Sequence, residues 1–208
     1  QMESFAIEMA SKGYSCFNIE FRLSPEATYP AGIFDVKKAI IYIKKNARKF
    51  NTDTTKIAIL GCSSGGQMAA LTGTTNGNKN FEENGTNNKT SSNVQAIINV
   101  DGVLAFKHPE SIEGKVAGLW LGGSYEEIPT VWQQASPLNH TDKNTPPTLF
   151  INSSIPRFHA GRDDMIAILN KNGIYNEVQT IQKSPHSFWF LNPWFDETIN
   201  YTAQFLEK

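Results

Sequence analysis

Cysteine is scarce in this 208-residue chain, where only Cys16 and Cys62 occur. Two thiols without CxxC spacing exclude a disulfide framework and a zinc-thiolate site, so both are expected to be free. No apolar run approaches the roughly 18 residues that a membrane-spanning helix needs, and no basic-then-apolar leader opens the sequence. An excess of charge is lacking too, because 19 Lys and Arg stand against 20 Asp and Glu. That balance supplies no field to gather nucleic acid or an anionic membrane, and it leaves a neutral small molecule as the expected partner. What is present, 39% apolar residues and 11% aromatics, suffices for the core of one α/β domain.

Periodicity divides the chain. Met2, Phe5, Ala6, Met9 and Ala10 recur at the spacing of one helical face, with Gly13 as the stop. Tyr14 to Phe21, rich in aromatics, reads as a strand that ends at Arg22-Leu23-Ser24-Pro25. Ile33, Val36, Ile40 and Ile43 share a side of a helix expected from about Ala31 to Arg48. Further strands are expected at Lys56–Leu60, Val94–Val100, Thr148–Ile151 and Val178–Ile181, and further helices after Gly66, over His159–Asn172 and over Pro193–Glu207. The alternation predicts about five parallel strands joined by right-handed crossovers. Gly73–Asn93, dominated by Asn, Gly, Thr and Ser, is expected to be an exposed loop that packs little. A region of about 102–147, rich in aromatics, Gly and Pro and without a clean period, suits a rim or cap over a site.

Gly61-Cys62-Ser63-Ser64-Gly65 fits GxSxG between an expected strand and an expected helix. Small neighbours let the chain turn sharply enough to present the Ser63 hydroxyl at the end of the sheet. The helix behind it aims N–H groups and a positive dipole end at charge developing on a bound carbonyl oxygen, so the Ser64 N–H is an expected oxyanion donor. The same stretch approaches GxxxxGK[ST], but Gln67 stands where that loop requires lysine, which excludes a nucleotide loop. A serine hydroxyl needs a base. Of four histidines, His186 follows the last expected strand and takes that role. His159 is expected to cap or pack, while His108 and His140 belong to the rim.

These residues resemble the carbohydrate-esterase and hormone-sensitive-lipase side of the α/β-hydrolase superfamily, especially acetyl-xylan, pectin acetyl and feruloyl esterase-like proteins. Phe21-Arg22-Leu23-Ser24-Pro25-Glu26 with Tyr29-Pro30 and Asp35 is similar to that group's YRLSPE…YP…D segment, and Ile57 to Gln67 to its serine turn. Gly122-Gly123-Ser124, Ala135-Ser136-Pro137-Leu138 and Thr145-Pro146-Pro147 resemble GGS…ASPL…TPP, and Pro185-His186-Ser187-Phe188 its histidine loop. The resemblance implies an α/β-hydrolase fold, a single catalytic domain over 1–208, and cleavage of small-molecule or carbohydrate esters through an acyl-enzyme without metal or organic cofactor. It favours a periplasmic or secreted address.

Two departures stand out. The family's HGGG-type stretch, which supplies further oxyanion donors, has no counterpart after Gln1, so either the chain lacks its N-terminal strands, the favoured expectation, or another segment completes the oxyanion hole. Relatives place an aspartate just after the strand matching Thr148–Ile151, but Asn152-Ser153-Ser154-Ile155-Pro156-Arg157 holds no carboxylate. Asp101, at the tip of the strand after the serine turn, is the first candidate for the acid, Asp163 the second, and a Ser-His pair alone the third. Arg157 is expected to meet an acidic sugar or to pair with Asp163 or Asp164. The aromatics Trp189, Phe190, Trp194, Phe195, Trp120 and Trp132 serve either as packing or as a platform for sugar rings. A prolyl-oligopeptidase-type peptidase and a non-catalytic binding protein on this scaffold remain as alternative functions.

Overall fold

A computed structural model describes residues 2–24, 26–83 and 89–208. Pro25 of the Arg-Leu-Ser-Pro-Glu segment and residues 84–88 of the Asn-rich loop lie outside the described residues. In chain order the elements are α1 (Glu3–Ser11), α2 (Ala31–Lys45), α3 (Ala47–Phe50), β1 (Ala58–Cys62), α4 (Ser64–Thr74), β2 (Ala96–Val100), α5 (Gly114–Leu121), α6 (Pro129–Gln134), β3 (Thr148–Asn152), α7 (Arg162–Lys171), β4 (Asn176–Thr180) and α8 (Trp194–Leu206). The four strands form one parallel sheet in the order β1-β2-β3-β4, with Gly61 opposite Asn99, Val100 opposite Ile151 and Asn152 opposite Thr180. A parallel register sets every strand's C-terminal end on one edge of the sheet, which is where this architecture places its sites.

Side-chain alternation along the strands divides the core. Ile97 and Phe150 point to one face and join Ala70 of α4 with Met165 and Leu169 of α7. Ile98, Val100, Leu149 and Ile151 point to the other and meet Phe188, Trp189 and Phe205. On that second side, α1 packs on α8 through Phe5, Met9, Ile199 and Ala203. The central strands β2 and β3 are largely apolar on both faces because helices cover both, as in layered α/β folds, whereas β4, Asn-Glu-Val-Gln-Thr, is polar and only partly buried.

The structure corrects four expectations. Tyr14 to Phe21 is not a strand. Its backbone joins no ladder, and the sheet has four strands among the described residues, not five. The segment is tied down at its end instead, where Arg22 donates to Asp35 from Nε (2.8 Å), Nη2 (2.8 Å) and its backbone N–H (3.0 Å). The long helix from Ala31 ends at Lys45, where the Asn46 side chain bonds back to the Tyr42 carbonyl (2.8 Å), and Asn51, in the left-handed region, closes α3. His159 does not open α7 but closes a 3-10 turn, Pro156–His159, ahead of it. The stretch from Gly73 is less loop than expected: α4 runs to Thr74, Thr75 and Ser92 are buried, and Phe81, in the 3-10 turn Lys79–Phe81, packs into the core.

Candidate active site

The Ser63 turn is built by close backbone approach. Ser63 takes φ 55° and ψ −123°, a conformation costing a non-glycine residue about 1–3 kcal/mol that surrounding bonds must offset. Its N–H donates to the Val100 carbonyl (2.8 Å), and its own carbonyl accepts the first bond of α4 from the Gln67 N–H (3.1 Å). No side chain fits where the turn closes. A Cβ on Gly61 would lie 2.0 Å from the Gly65 oxygen, and one on Gly102 would lie 2.5 Å from Gln67 N. Asn99, buried in an otherwise apolar strand, fastens the crossing by donating from Nδ2 to the Gly66 carbonyl (3.0 Å) and accepting the Gly102 N–H at Oδ1 (3.0 Å). Since the intrahelical ladder of α4 begins at Gln67, the Ser64 N–H precedes it and is left without an intrahelical acceptor.

Three residues from three strand ends converge. Asp101, at φ 49°, follows β2, and its side chain is wholly buried. Its Oδ1 accepts the Ser153 N–H (2.7 Å), and its Oδ2 lies 3.0 Å from His186 Nδ1. A carboxylate only accepts, so Nδ1 carries the proton and Nε2 is left as the acceptor of the Ser63 hydroxyl, whose Oγ lies 3.0 Å away. His186, with 25% of its side chain exposed, sits on the loop beyond β4, and the next residue, Ser187, is again at positive φ (72°). Backbone strain thus gathers at or beside all three positions, as it does where geometry is held for chemistry.

The remaining candidates lie apart from this chain of bonds. Asp163 is on the first turn of α7, largely exposed and paired with Arg162 Nε (2.8 Å); that guanidinium holds its carboxyl below the ordinary carboxylate range. Arg157 does not pair with Asp163 or Asp164. It meets Glu113 (3.5 Å) and lies over the Phe158 ring. His159 donates from Nε2 to the Ser153 carbonyl (3.0 Å) and accepts from Arg162 Nη1 at Nδ1 (3.3 Å). Burial first, then the Arg162 charge, lowers its pKa below 6.5. It is therefore neutral at pH 7 and does not act as a second counter-ion to Asp101, 3.8 Å away. His108 meets Asp164 (2.9 Å), and His140 donates to the Gln134 carbonyl (2.7 Å).

Cys62 is free, and burial, reinforced by the Asp101 charge, pushes its thiol well above the usual range. It carries no thiolate at neutral pH. Trp132 and Trp189 are buried, and Trp120 and Trp194 pack against the core, so packing claims most of the aromatics, with Phe190 exposed. Among the described residues no group of His, Cys, Asp and Glu is disposed to hold a metal, and no helix is long and apolar enough to cross a membrane.

Sequence reasoning missed Asn99, Gly102, Ser153 and Phe158. The first two left a signal, a polar residue inside an apolar strand and a glycine straight after Asp101. Ser153 acts through its backbone and Phe158 through a tertiary stack, neither of which has a local signature.

Known proteins share this framework. The BD-FAE family model matches residues 1–168. Esterase LipC of Mycobacterium tuberculosis is 26% identical over 181 residues, which cover 85% of this chain and 43% of that protein. The chain spans less than half the length of the curated relatives that it matches first. A truncated form of a carbohydrate esterase from gut microbiota is 28% identical, with a TM-score of 0.75 over 92% of this chain and 74% of that one. A bifunctional GH43-CE protein of Bacteroides eggerthii is 27% identical, with a TM-score of 0.80 over 99% of this chain and 29% of its own.

Proposed function

This chain belongs to the BD-FAE family of α/β-hydrolase esterases, and from that premise we propose that it is a serine carboxylic ester hydrolase that deacetylates plant polysaccharides or their oligosaccharides. The observation that carries the reading is the continuous path Ser63 Oγ, His186 Nε2, His186 Nδ1, Asp101 Oδ2, with 3.0 Å at each hydrogen bond. As Ser63 Oγ bonds to the ester carbonyl carbon, its proton passes to His186 Nε2, and buried Asp101 stabilises the imidazolium. Negative charge moves to the carbonyl oxygen, where the Ser64 N–H and the start of α4 stabilise it. Collapse expels the alcohol, which leaves with the proton from Nε2. Water, deprotonated by His186 Nε2, then adds to the acyl carbon, and collapse returns that proton to Ser63 Oγ as the acid is released. No step calls for a metal or organic cofactor.

The choice of an acetylated glycan is supported by the two carbohydrate-esterase neighbours above 25% identity and by no contact in the site itself. It is tested by incubating the protein with acetylated xylo-oligosaccharides, p-nitrophenyl acetate and an aminoacyl-proline anilide, with Ser63→Ala as control. Acetate release from the first two that is lost in Ser63→Ala is the expected result. Cleavage of the anilide alone identifies a peptidase, and binding of the oligosaccharide without acetate release identifies a binding protein.

A further inference from the structure

The two hydrogen bonds of His186 leave one motion of its ring unrestrained. Nδ1 is held by Asp101 and Nε2 by Ser63, at opposite ends of the imidazole, so together they define an axis about which the ring can still rock. Rocking moves the Nε2 lone pair out of line with the Ser63 hydroxyl and with the alcohol that must later receive the proton. The Phe158 ring lies flat on His186, with centroids 3.6 Å apart and planes within 12°, while Trp189 stands edge-on to it at 5.0 Å and 88°. We propose that Phe158 is a positioning residue that sets the plane of the catalytic histidine, an inference that rests on the esterase reading above.

The stack is supported from behind. With imidazole against one face of Phe158, the Arg157 guanidinium, 4.3 Å from the ring centroid, must occupy the other. Glu113, just ahead of α5, faces Arg157 at 3.5 Å, near enough for charge attraction though without a hydrogen bond. A rim residue, a guanidinium, a phenyl ring and the imidazole therefore form successive layers. Phe158 closes off the rocking axis by van der Waals contact over a whole ring face, a restraint that an aliphatic side chain of similar volume does not reproduce, since it has no flat surface. The benefit is orientational, so it belongs in the chemical step and not in substrate binding.

The test measures kcat and KM on p-nitrophenyl acetate for the parent, Phe158→Leu, Phe158→Tyr and His186→Ala, with Tm alongside. Phe158→Leu is expected to lower kcat by about ten- to a hundredfold while KM stays within about twofold, and Phe158→Tyr, which keeps the flat face, to recover most of it. Should Phe158→Leu fail to fold, Phe158→Met fills the space without a plane and carries the same expectation. Turnover lost in His186→Ala but equal in parent, Leu and Tyr variants overturns the positioning role and leaves the esterase reading intact. So does a loss in Leu and Tyr alike that follows Tm. Turnover that survives His186→Ala overturns both.

Discussion

A methyl group added at Gly102 would stand 2.5 Å from Gln67 N and from Gly66 C, and 2.7 Å from Gly66 Cα. All three are backbone atoms, so no rotamer change relieves the overlap. Ordinary carbon contacts lie at ~3.5–4.0 Å, and the crossing of α4 over the end of β2 must therefore open by about 1 Å. Slack is missing on the facing side as well, because a Cβ on Gly66 already meets Gly102 Cα at 3.1 Å. Overpacking of this kind costs about 1–3 kcal/mol, or a fall in Tm of about 2–4 °C per kcal/mol for a chain of this length. The displacement falls between the turn that carries Ser63 and the residue next to Asp101. A misplacement of that size among reacting groups lowers turnover by about a hundredfold. Gly102→Ala is thus expected to melt earlier in differential scanning calorimetry and to hydrolyse p-nitrophenyl acetate about a hundredfold more slowly. Gly114→Ala, with nothing within 4 Å of its new Cβ, should shift stability by less than about 1 kcal/mol. A Gly102→Ala protein that melts and turns over like the parent refutes the close-approach account of the site.

Asp101→Asn keeps an acceptor for the Ser153 N–H but turns an amide N–H towards His186 Nδ1, which moves the imidazole proton to Nε2 and blocks acceptance from Ser63; kcat/KM is expected to fall on the order of 10³–10⁴, and a loss below tenfold contradicts the role. Lys37 is buried against the Thr72 and Thr75 carbonyls (3.4 and 3.0 Å), and burial lowers its pKa from 10.5 to about 8. The folded chain sheds that proton before the unfolded one does, so this residue's contribution rises by on the order of 3 kcal/mol between pH 8 and 10.5. Lys37→Met should therefore raise Tm at pH 7 and lose that advantage by pH 10.5, and a pH-independent difference contradicts the assignment. Arg22 holds the Asp35 carboxyl below its ordinary value of 3.8, a contribution present above that pH and lost as pH falls through the lower, folded value. Asp35→Asn should cost of order 1 kcal/mol at pH 7 and progressively less in urea melts as pH falls below 3.8; a cost that does not diminish excludes the ion pair as its source.

Much of the sheet is legible in the sequence, since β1 to β4 lie within two residues of the apolar runs that announce them. Tyr14 to Phe21 shows where such reading stops. Aromatic content reports an extended backbone but says nothing of a pairing partner, and the described residues provide none. The break of α2 at Asn46 is accompanied by a side-chain bond to the Tyr42 carbonyl, which periodicity does not register. At the site, the GxSxG turn names Ser63, and position in the chain names His186 and Asp101 as candidates. Their meeting depends on parallel register across all four strands, because Ser63 and Asp101 are separated from His186 by 123 and 85 residues. Phe158 is illegible for a related reason: nothing beside it in the sequence distinguishes a ring that fills the core from one that lies on an imidazole.

The central claim, that Ser63 is activated by His186, is tested most directly by intact-mass spectrometry after exposure to a fluorophosphonate probe. The parent should gain one adduct, mapping to Ser63, and both Ser63→Ala and His186→Ala should remain unlabelled at the same exposure while folded. A folded parent that takes up no probe, or an adduct that persists in Ser63→Ala, would contradict it.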